Sequence, residues 1–259
     1  MLPDLQGFAI RGLPRIQPGD DLAVLIGDAL ASTVVPMDGD IITITSKVVS
    51  RAEGRFVALD SVEPGDTARS IAVETGKDPR LVELILRESS YISRKHPGVL
   101  IVRHRLGLVS ANAAIDRSNV GIPDGAEQQE WVLLLPEDPD RSAARLHAAL
   151  FRRFGLSRLG IVITDSFGRP FRRGTTGVAI GAAGIPVLDD QRGLPDLDGR
   201  TMEATLVAFA DQVAAAAELL TGQGREGIPV TLLRGLTWPA GEADSASALC
   251  RVPEEDLYL

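Results

Sequence analysis

The chain has 259 residues, 44% of them hydrophobic and 24% charged, proportions typical of one globular unit. Its net charge of −8 at pH 7 argues against nucleic-acid binding, which needs a basic surface, and its single cysteine excludes an intrachain disulfide framework. No apolar run approaches the ~20 residues of a membrane span, and the first residues lack the features of a signal peptide. We therefore expect a cytoplasmic protein without membrane contacts.

Hydrophobic periodicity and capping residues predict helices and strands along the whole chain. Strands are expected at residues 7–16, 41–45, 99–102, 108–109, 131–135, 161–164 and 228–233. Helices are expected from residue 20, at 66–75, from 78 to about 90, at 138–154 and at 202–221. Loops are expected after residue 164 and at 189–200, and a loosely structured tail at 238–259.

The residue types best suited to binding a metal or a phosphate are concentrated in residues 160–184, GIVITDSFGRPFRRGTTGVAIGAAG. The β-branched strand of this stretch stops at Asp165 and Ser166, whose oxygens suit a hard cation. Arg169, Arg172 and glycines follow, and arginine forks with free backbone N–H groups suit phosphate. Taken alone, the stretch fits a metal–phosphate site and a capped turn with a solvated basic loop about equally well.

Polar side chains follow two other strands. Ser46, Lys47 and Arg51 follow the strand at 41–45 and could donate to phosphate or form a solvated edge. Asp116 and Asn119 follow the strands near residue 109. Two carboxylates from separate strands could converge on one metal, or each could cap a turn.

Several familiar sites are excluded by motif. The chain has no G-x-x-x-x-G-K-[ST], and therefore no P-loop. A G-x-G-x-x-G occurs at residues 222–227, but it follows a helix and precedes a strand, the reverse of the dinucleotide-binding context. The lone cysteine and scattered histidines lack zinc-ligand spacing, and no nucleophile elbow is present.

Four blocks occur in order: ITSKVVSRAEGR, SANAAIDRSNVG, ITDSFGRPFRRGTTGVAIGAAG and LLTGQGREGIPV. Together they resemble the coenzyme F420-0:gamma-glutamyl ligase family of the CofE type, over a stretch from Leu13 to about Gly235. The resemblance implies an α+β fold with mixed, largely antiparallel sheets and packed helices, neither P-loop nor Rossmann. It also implies a single unit over residues 1–259 with two intertwined lobes, and a homodimer. In some relatives a similar unit is fused to a nitroreductase-like domain.

The resemblance implies a GTP-dependent, GDP-forming ligase of coenzyme F420 biosynthesis. It would add L-glutamate to coenzyme F420-0 through an acyl phosphate and extend a gamma-linked glutamate tail. Its implied cofactors are Mg²⁺ or Mn²⁺, two per site, with K⁺ as a further candidate. A two-metal phosphohydrolase and a non-catalytic nucleotide-binding regulator stay as alternatives, as do the choice of nucleotide and the length of the tail.

When each block is matched to the family pattern, the resemblance implies roles for single residues. The implied metal ligands are Asp116, Asp165, Ser166 and Gln223. The implied GTP contacts are Leu13, Pro14, Arg15, Ile16, Ser46, Lys47, Arg51, Asn119, Thr221, Gly222, Gln223, Gly224, Arg225, Glu226, Gly227 and Ile228. Catalytic roles fall to Asp116, Asp165, Lys47 and Arg169, with Arg172 as a further phosphate or substrate contact.

Two positions depart from the family pattern. Ala114 stands where the family has glycine, so a positive φ there would strain the backbone. Phe171 replaces a tryptophan and loses its N–H donor. Neither change removes an implied ligand, and we expect Asp116, Asp165 and Gln223 to meet within metal-bridging distance.

Overall fold

The computed structural model describes residues 4–239 and 244–255, which form α-helices, short 3₁₀ turns and strands. The strands are β1 (Gln6–Ile10), β2 (Asp40–Thr45), β3 (Phe56–Ala58), β4 (Ser89–His96), β5 (Val99–His104), β6 (Val109–Ala111), β7 (Trp131–Leu133), β8 (Leu159–Arg169), β9 (Arg172–Ala183), β10 (Asp189–Asp190), β11 (Leu206–Val207) and β12 (Val230–Arg234). The helices are α1 (Leu22–Thr33), α2 (Ser46–Ala52), α3 (Asp66–Thr75), α4 (Pro79–Arg87), α5 (Pro139–Phe154) and α6 (Phe209–Thr221).

A mixed five-stranded sheet in the order β1-β12-β2-β8-β9 forms the centre of the fold. Only β2 and β8 run parallel, and the other three pairs are antiparallel. Smaller antiparallel sheets are formed by β4-β5-β6, β3-β7 and β10-β11. The expected α+β fold with largely antiparallel sheets is therefore confirmed.

Apolar side chains of the central strands point to alternate faces, as the two-residue period of a strand requires. Ile42 and Ile161 pack on one face with α1 and α5, whereas Ile41 and Val162 pack on the other with α6. A separate apolar cluster lies between α3, α4 and β5. Helices thus cover both faces of the sheet, and the polar ends of its strands are left to form a site.

The strand that carries Asp165 is longer than expected. β8 continues through Asp165 and Ser166 to Arg169, and β9 begins again at Arg172. The predicted strand end and basic loop are wrong, because this stretch is one long antiparallel hairpin in which Ser166 pairs with Gly177. The backbone is therefore held by ladder hydrogen bonds where the sequence suggested a turn.

Four further elements differ from what the sequence suggested. The helix expected at 202–221 begins only at Phe209, because Leu206–Val207 pairs with Asp189–Asp190 as a short strand. The segment after β2 forms α2, and β3 and β4 were not expected.

The tail expected at 238–259 lies partly outside the described residues. Its described part contains single 3₁₀ turns at Ala246–Leu249 and Pro253–Glu255. Within residues 4–239 and 244–255, no helix combines the length and the apolar character that crossing a membrane requires.

Candidate functional site

A cavity of about 550 Å³ opens beside the carboxyl end of β2, between β8, α2 and the last turn of α6. Its walls come from six separate parts of the chain: within residues 13–16, 45–51, 116–119, 164–166 and 214–229, and at Gly177. All sixteen residues that the resemblance assigns to GTP and all four that it assigns to the metal line this cavity. The fold therefore brings the implied residues together, while the role of each stays a prediction.

Asp165 and Asp116 form a pair of like charges inside the cavity. Burial, together with the negative charge of Asp116, raises the pKa of the Asp165 carboxyl to about 7. A 2.8 Å hydrogen bond from the Ser166 N–H to Asp165 Oδ1, the Lys47 charge and the Ser46 hydroxyl oppose this rise. Burial also raises the pKa of Asp116, and Lys47 works against it. The two carboxylates thus have one nearby ammonium to share.

Lys47 holds Asp116 in place from the first turn of α2. Its Nζ lies 3.4 Å from Asp116 Oδ2 and donates a 3.1 Å hydrogen bond to the Ser118 carbonyl. The Asp116 backbone is fixed by two hydrogen bonds to Leu133 of β7, at 2.9 and 3.0 Å. Both the side chain and the backbone of Asp116 are therefore restrained.

A left-handed turn precedes Asp116. Asn112, Ala113 and Ala114 have φ values of 54°, 54° and 53°, a conformation that costs residues with a Cβ about 1–2 kcal/mol each. The turn is closed by a 3.1 Å hydrogen bond from the Ile115 N–H to the Asn112 carbonyl. The strain expected at Ala114 is confirmed, and it is stored in the segment that presents Asp116.

Ser166 connects β8 to the loop after α6. Its hydroxyl donates a 3.0 Å hydrogen bond to Gln223 Oε1. The helix comes this close because Gly177, opposite Ser166 on β9, has no side chain, and a Cβ there would lie 2.5 Å from the Ala214 carbonyl oxygen. Gly177 therefore sets the distance between the Asp165–Ser166 segment and the Gln223 loop.

Arg51 joins two walls of the cavity. Its Nε donates to the Ile16 carbonyl at 2.7 Å and its Nη1 to the Val120 carbonyl at 2.5 Å. Burial, with the nearby charge of Arg15, lowers the pKa of the Arg51 guanidinium. Its buried Nη2 has no hydrogen-bond partner among the described residues. This orphaned donor suits an anionic ligand.

Among the described residues, Arg169 and Arg172 do not line the cavity. They lie at the far end of the β8–β9 hairpin, where Arg169 Nη2 is 3.5 Å from the Arg173 carbonyl. The catalytic role predicted for Arg169 and the phosphate or substrate contact predicted for Arg172 stay predictions.

The cavity also has lining residues that sequence reasoning missed, including Ser118, Gly177 and Glu218. Ser118 lies between two residues that were identified. Glu218 is about one helical turn before Gln223, a spacing that could have drawn attention to it.

The donor set suits a hard divalent cation. Within the described part of the chain, no three His, Cys, Asp or Glu side chains cluster as a metal site. Two carboxylates and the neutral oxygens of Ser166 and Gln223 are instead available. Mg²⁺ and Mn²⁺ are bound by few carboxylates, with water and phosphate oxygens completing the shell. The undercompensated Asp116–Asp165 pair makes a cation at this position favourable.

Comparison with known proteins gives consistent results. The family model for F420-0:Gamma-glutamyl ligase matches residues 11–235. The chain is 45% identical over 247 residues to a coenzyme F420:L-glutamate ligase of Methanopyrus kandleri, covering 94% of this chain and 93% of the relative. Proteins of the same name from Methanothermobacter thermautotrophicus and Natronomonas pharaonis are 43% and 41% identical. These alignments cover 97% of both chains in the first case, and 98% of this chain and 94% of the relative in the second.

Proposed function

The chain belongs to the F420-0:gamma-glutamyl ligase family, and we propose that it uses GTP to join L-glutamate to coenzyme F420-0 and then extends the tail with further gamma-linked glutamates. Members of this family are ligases that form amide bonds. One observation carries the GTP and metal parts of the proposal. Residues assigned to GTP and to a cation come from distant parts of the sequence, yet they all line one cavity with a partly buried carboxylate pair.

The proposed reaction has two balanced steps. An oxygen of the F420-0 carboxylate attacks the γ-phosphorus of GTP, forming an acyl phosphate and releasing GDP. The amino group of glutamate then attacks the acyl carbon, the C–O bond to phosphate breaks, and the amide, inorganic phosphate and one proton are released. Each further glutamate repeats the two steps on the new terminal carboxylate.

The charges around the cavity suit this chemistry, because the nucleotide and both acids are anionic. Lys47 and the orphaned Nη2 of Arg51 offer donors to phosphate or carboxylate oxygens. The Gly222–Gly227 loop offers backbone N–H groups beside them. A bound divalent cation would neutralise charge on the phosphoryl oxygens. These residues would hold donor and acceptor in line, which is the main task in phosphoryl transfer.

The test is mass spectrometry of F420-0 incubated with GTP, Mn²⁺ and L-glutamate, with GDP measured in parallel. We expect successive glutamyl additions and one GDP for each. Steady GTP hydrolysis without acceptor would indicate a two-metal phosphohydrolase. Saturable GTP binding without phosphate release would indicate a regulator. Either result would refute the proposal.

Two variants test the carboxylate pair in the same assay. Asp116→Asn and Asp165→Asn remove one charge each with little change in shape, and we expect at least 100-fold slower ligation from each, in line with the loss of one electrostatic contact in a transition state. Asp28→Asn, which breaks an exposed ion pair to Arg153, is the matched control and should ligate at the wild-type rate. Full activity in either site variant would contradict the assignment.

We also propose the homodimer and the cytoplasmic location that the family resemblance and the sequence imply, with K⁺ as an additional ion. The segment between β10 and β11 supports a dimer, because Leu197 is fully exposed and Leu194 half exposed there. Light scattering of the purified protein should give twice the 27.6 kDa chain mass. A monomer at micromolar concentration would refute the dimer.

A further inference from the structure

We propose that Glu218 is a positioning residue, which holds the side-chain amide of Gln223 with its oxygen turned toward Ser166 and the cavity. The inference rests on the proposed function, since it concerns how a cation ligand is oriented. Glu218 has no role in any assignment made so far.

The contacts form a chain across the mouth of the cavity. Gln223 Nε2 donates a short hydrogen bond to Glu218 Oε1. Gln223 Oε1 accepts from the Ser166 hydroxyl at 3.0 Å. The amide of Gln223 therefore lies between β8 and α6, with its nitrogen at the helix and its oxygen at the strand.

Glu218, and not Ser166, determines which way the amide faces. A hydroxyl can either donate or accept, so Ser166 is compatible with both orientations of the amide. A carboxylate only accepts, so Glu218 requires the Nε2 end of Gln223. If the amide were flipped, two acceptor oxygens would face each other. The carboxylate thus imposes an orientation that the serine alone would leave free.

Glu218 is itself held on a rigid base. The Gly222 N–H donates to the Glu218 carbonyl at 3.0 Å, closing the last turn of α6. One turn earlier, the helix backbone at Ala214 rests directly against Gly177 of β9. The carboxylate therefore projects from a helix end fixed to the same hairpin that carries Ser166.

The orientation matters for a cation near Asp165. With the observed orientation, Gln223 adds a neutral oxygen donor to the two carboxylates. With the opposite orientation it would present an NH₂ group, which repels a cation. Residues that orient metal ligands typically change affinity by about 10–100-fold when replaced. Glu218 would act in this way through Gln223.

The test uses Glu218→Gln, which keeps the size of the side chain but can either donate to or accept from Gln223. Glu74→Gln is the charge-matched control, because Glu74 pairs with Lys95 on the surface of α3. Gln223→Ala and the Glu218→Gln/Gln223→Ala double variant complete a cycle. The side-chain amide of Gln223 is observed by ¹⁵N NMR without metal, and Mn²⁺ affinity is measured by electron paramagnetic resonance with a non-hydrolysable GTP analogue.

We expect Glu218→Gln to shift the Gln223 amide signals and to weaken Mn²⁺ binding about 10-fold, and Glu74→Gln to change neither. In the Gln223→Ala background, Glu218→Gln should cause no further loss, because its effect passes through Gln223.

Four results would overturn the inference. Unchanged amide signals would show that Glu218 does not orient Gln223. Additive losses in the cycle would show that Glu218 acts on the cation directly or only through its charge. Equal Mn²⁺ affinity in wild type and Glu218→Gln would refute the positioning role of Glu218 and leave the proposed cation site unaffected. A wild-type protein that binds no Mn²⁺ would refute the cation site of the proposed function, and the role of Glu218 with it.

Discussion

Replacing Asp165 by asparagine should make the metal-free protein more stable at pH 8 while slowing ligation at least 100-fold. The substitution keeps the shape of the side chain, and the asparagine Oδ1 can still accept the 2.8 Å hydrogen bond from the Ser166 N–H. It removes a partly buried carboxylate beside the negative charge of Asp116. A residue serving the reaction is thus expected to lower the stability of the empty fold.

The size of the effect follows from the pKa of Asp165, which burial and Asp116 raise from 3.8 to about 7. Well below pH 3.8 the carboxyl is protonated in both the folded and the unfolded chain. Between pH 3.8 and about 7 the unfolded chain has already lost this proton while the folded chain still keeps it, so the stability of the fold falls across this window and levels off above pH 7. At about 1.4 kcal/mol per pH unit the loss reaches about 4 kcal/mol, and we expect about half, because water partly screens the site.

The assay is urea unfolding of wild type and Asp165→Asn in the presence of a chelator, at several pH values from 4.5 to 8. The variant should be about 2 kcal/mol more stable at pH 8, and its advantage should shrink as the pH approaches 4. Addition of Mn²⁺ and GTP should stabilise the wild type more than the variant. A variant that is less stable than wild type at pH 8 would refute the description of this carboxylate pair.

Two further predictions concern the backbone around the site. Ala114→Gly should raise the free energy of unfolding by about 0.5–1 kcal/mol, because glycine relieves the positive φ. Ala31→Gly, at an exposed position of helix α1, should lower the free energy of unfolding by about 1 kcal/mol. If urea unfolding gave both changes the same sign, the strain at Ala114 would be contradicted. Gly177→Ala should cost at least about 2 kcal/mol and weaken GTP binding in calorimetry, because its Cβ would meet the Ala214 carbonyl oxygen at 2.5 Å, whereas Gly168→Ala, with open space around it, should bind GTP normally. Wild-type GTP affinity in Gly177→Ala would contradict the packing argument.

Local signals predicted much of the fold. The Asp-Pro pairs at 78–79 and 138–139 indicated helix starts, and both aspartates accept a hydrogen bond from a backbone N–H of the first turn. The β-branched run at 41–45 indicated a buried strand, which is β2. Helix starts and buried strands of this kind depend on residues that are adjacent in the sequence, and they can therefore be predicted from the sequence alone.

Features that depend on tertiary packing were not predicted. Glycines and arginines after Thr164 suggested a loop, but pairing with β9 keeps the segment extended. Gly177 acts as a spacer only because α6 lies against it, and no local pattern shows that contact. Ser166 and Gln223 are 57 residues apart, so their hydrogen bond follows from the fold alone. The residues of the candidate site were identified through the family resemblance. Their distances and contacts could be described only from the structure.

The transfer of an oxygen atom from the acid to phosphate tests the central claim most directly. F420-0 labelled with ¹⁸O in its terminal carboxylate is incubated with the protein, GTP, Mn²⁺ and L-glutamate, and the inorganic phosphate is analysed by mass spectrometry. We predict one ¹⁸O atom in the phosphate for each amide formed, because the acyl C–O bond breaks when glutamate attacks. Phosphate without ¹⁸O, whose fourth oxygen comes from water, would contradict the account.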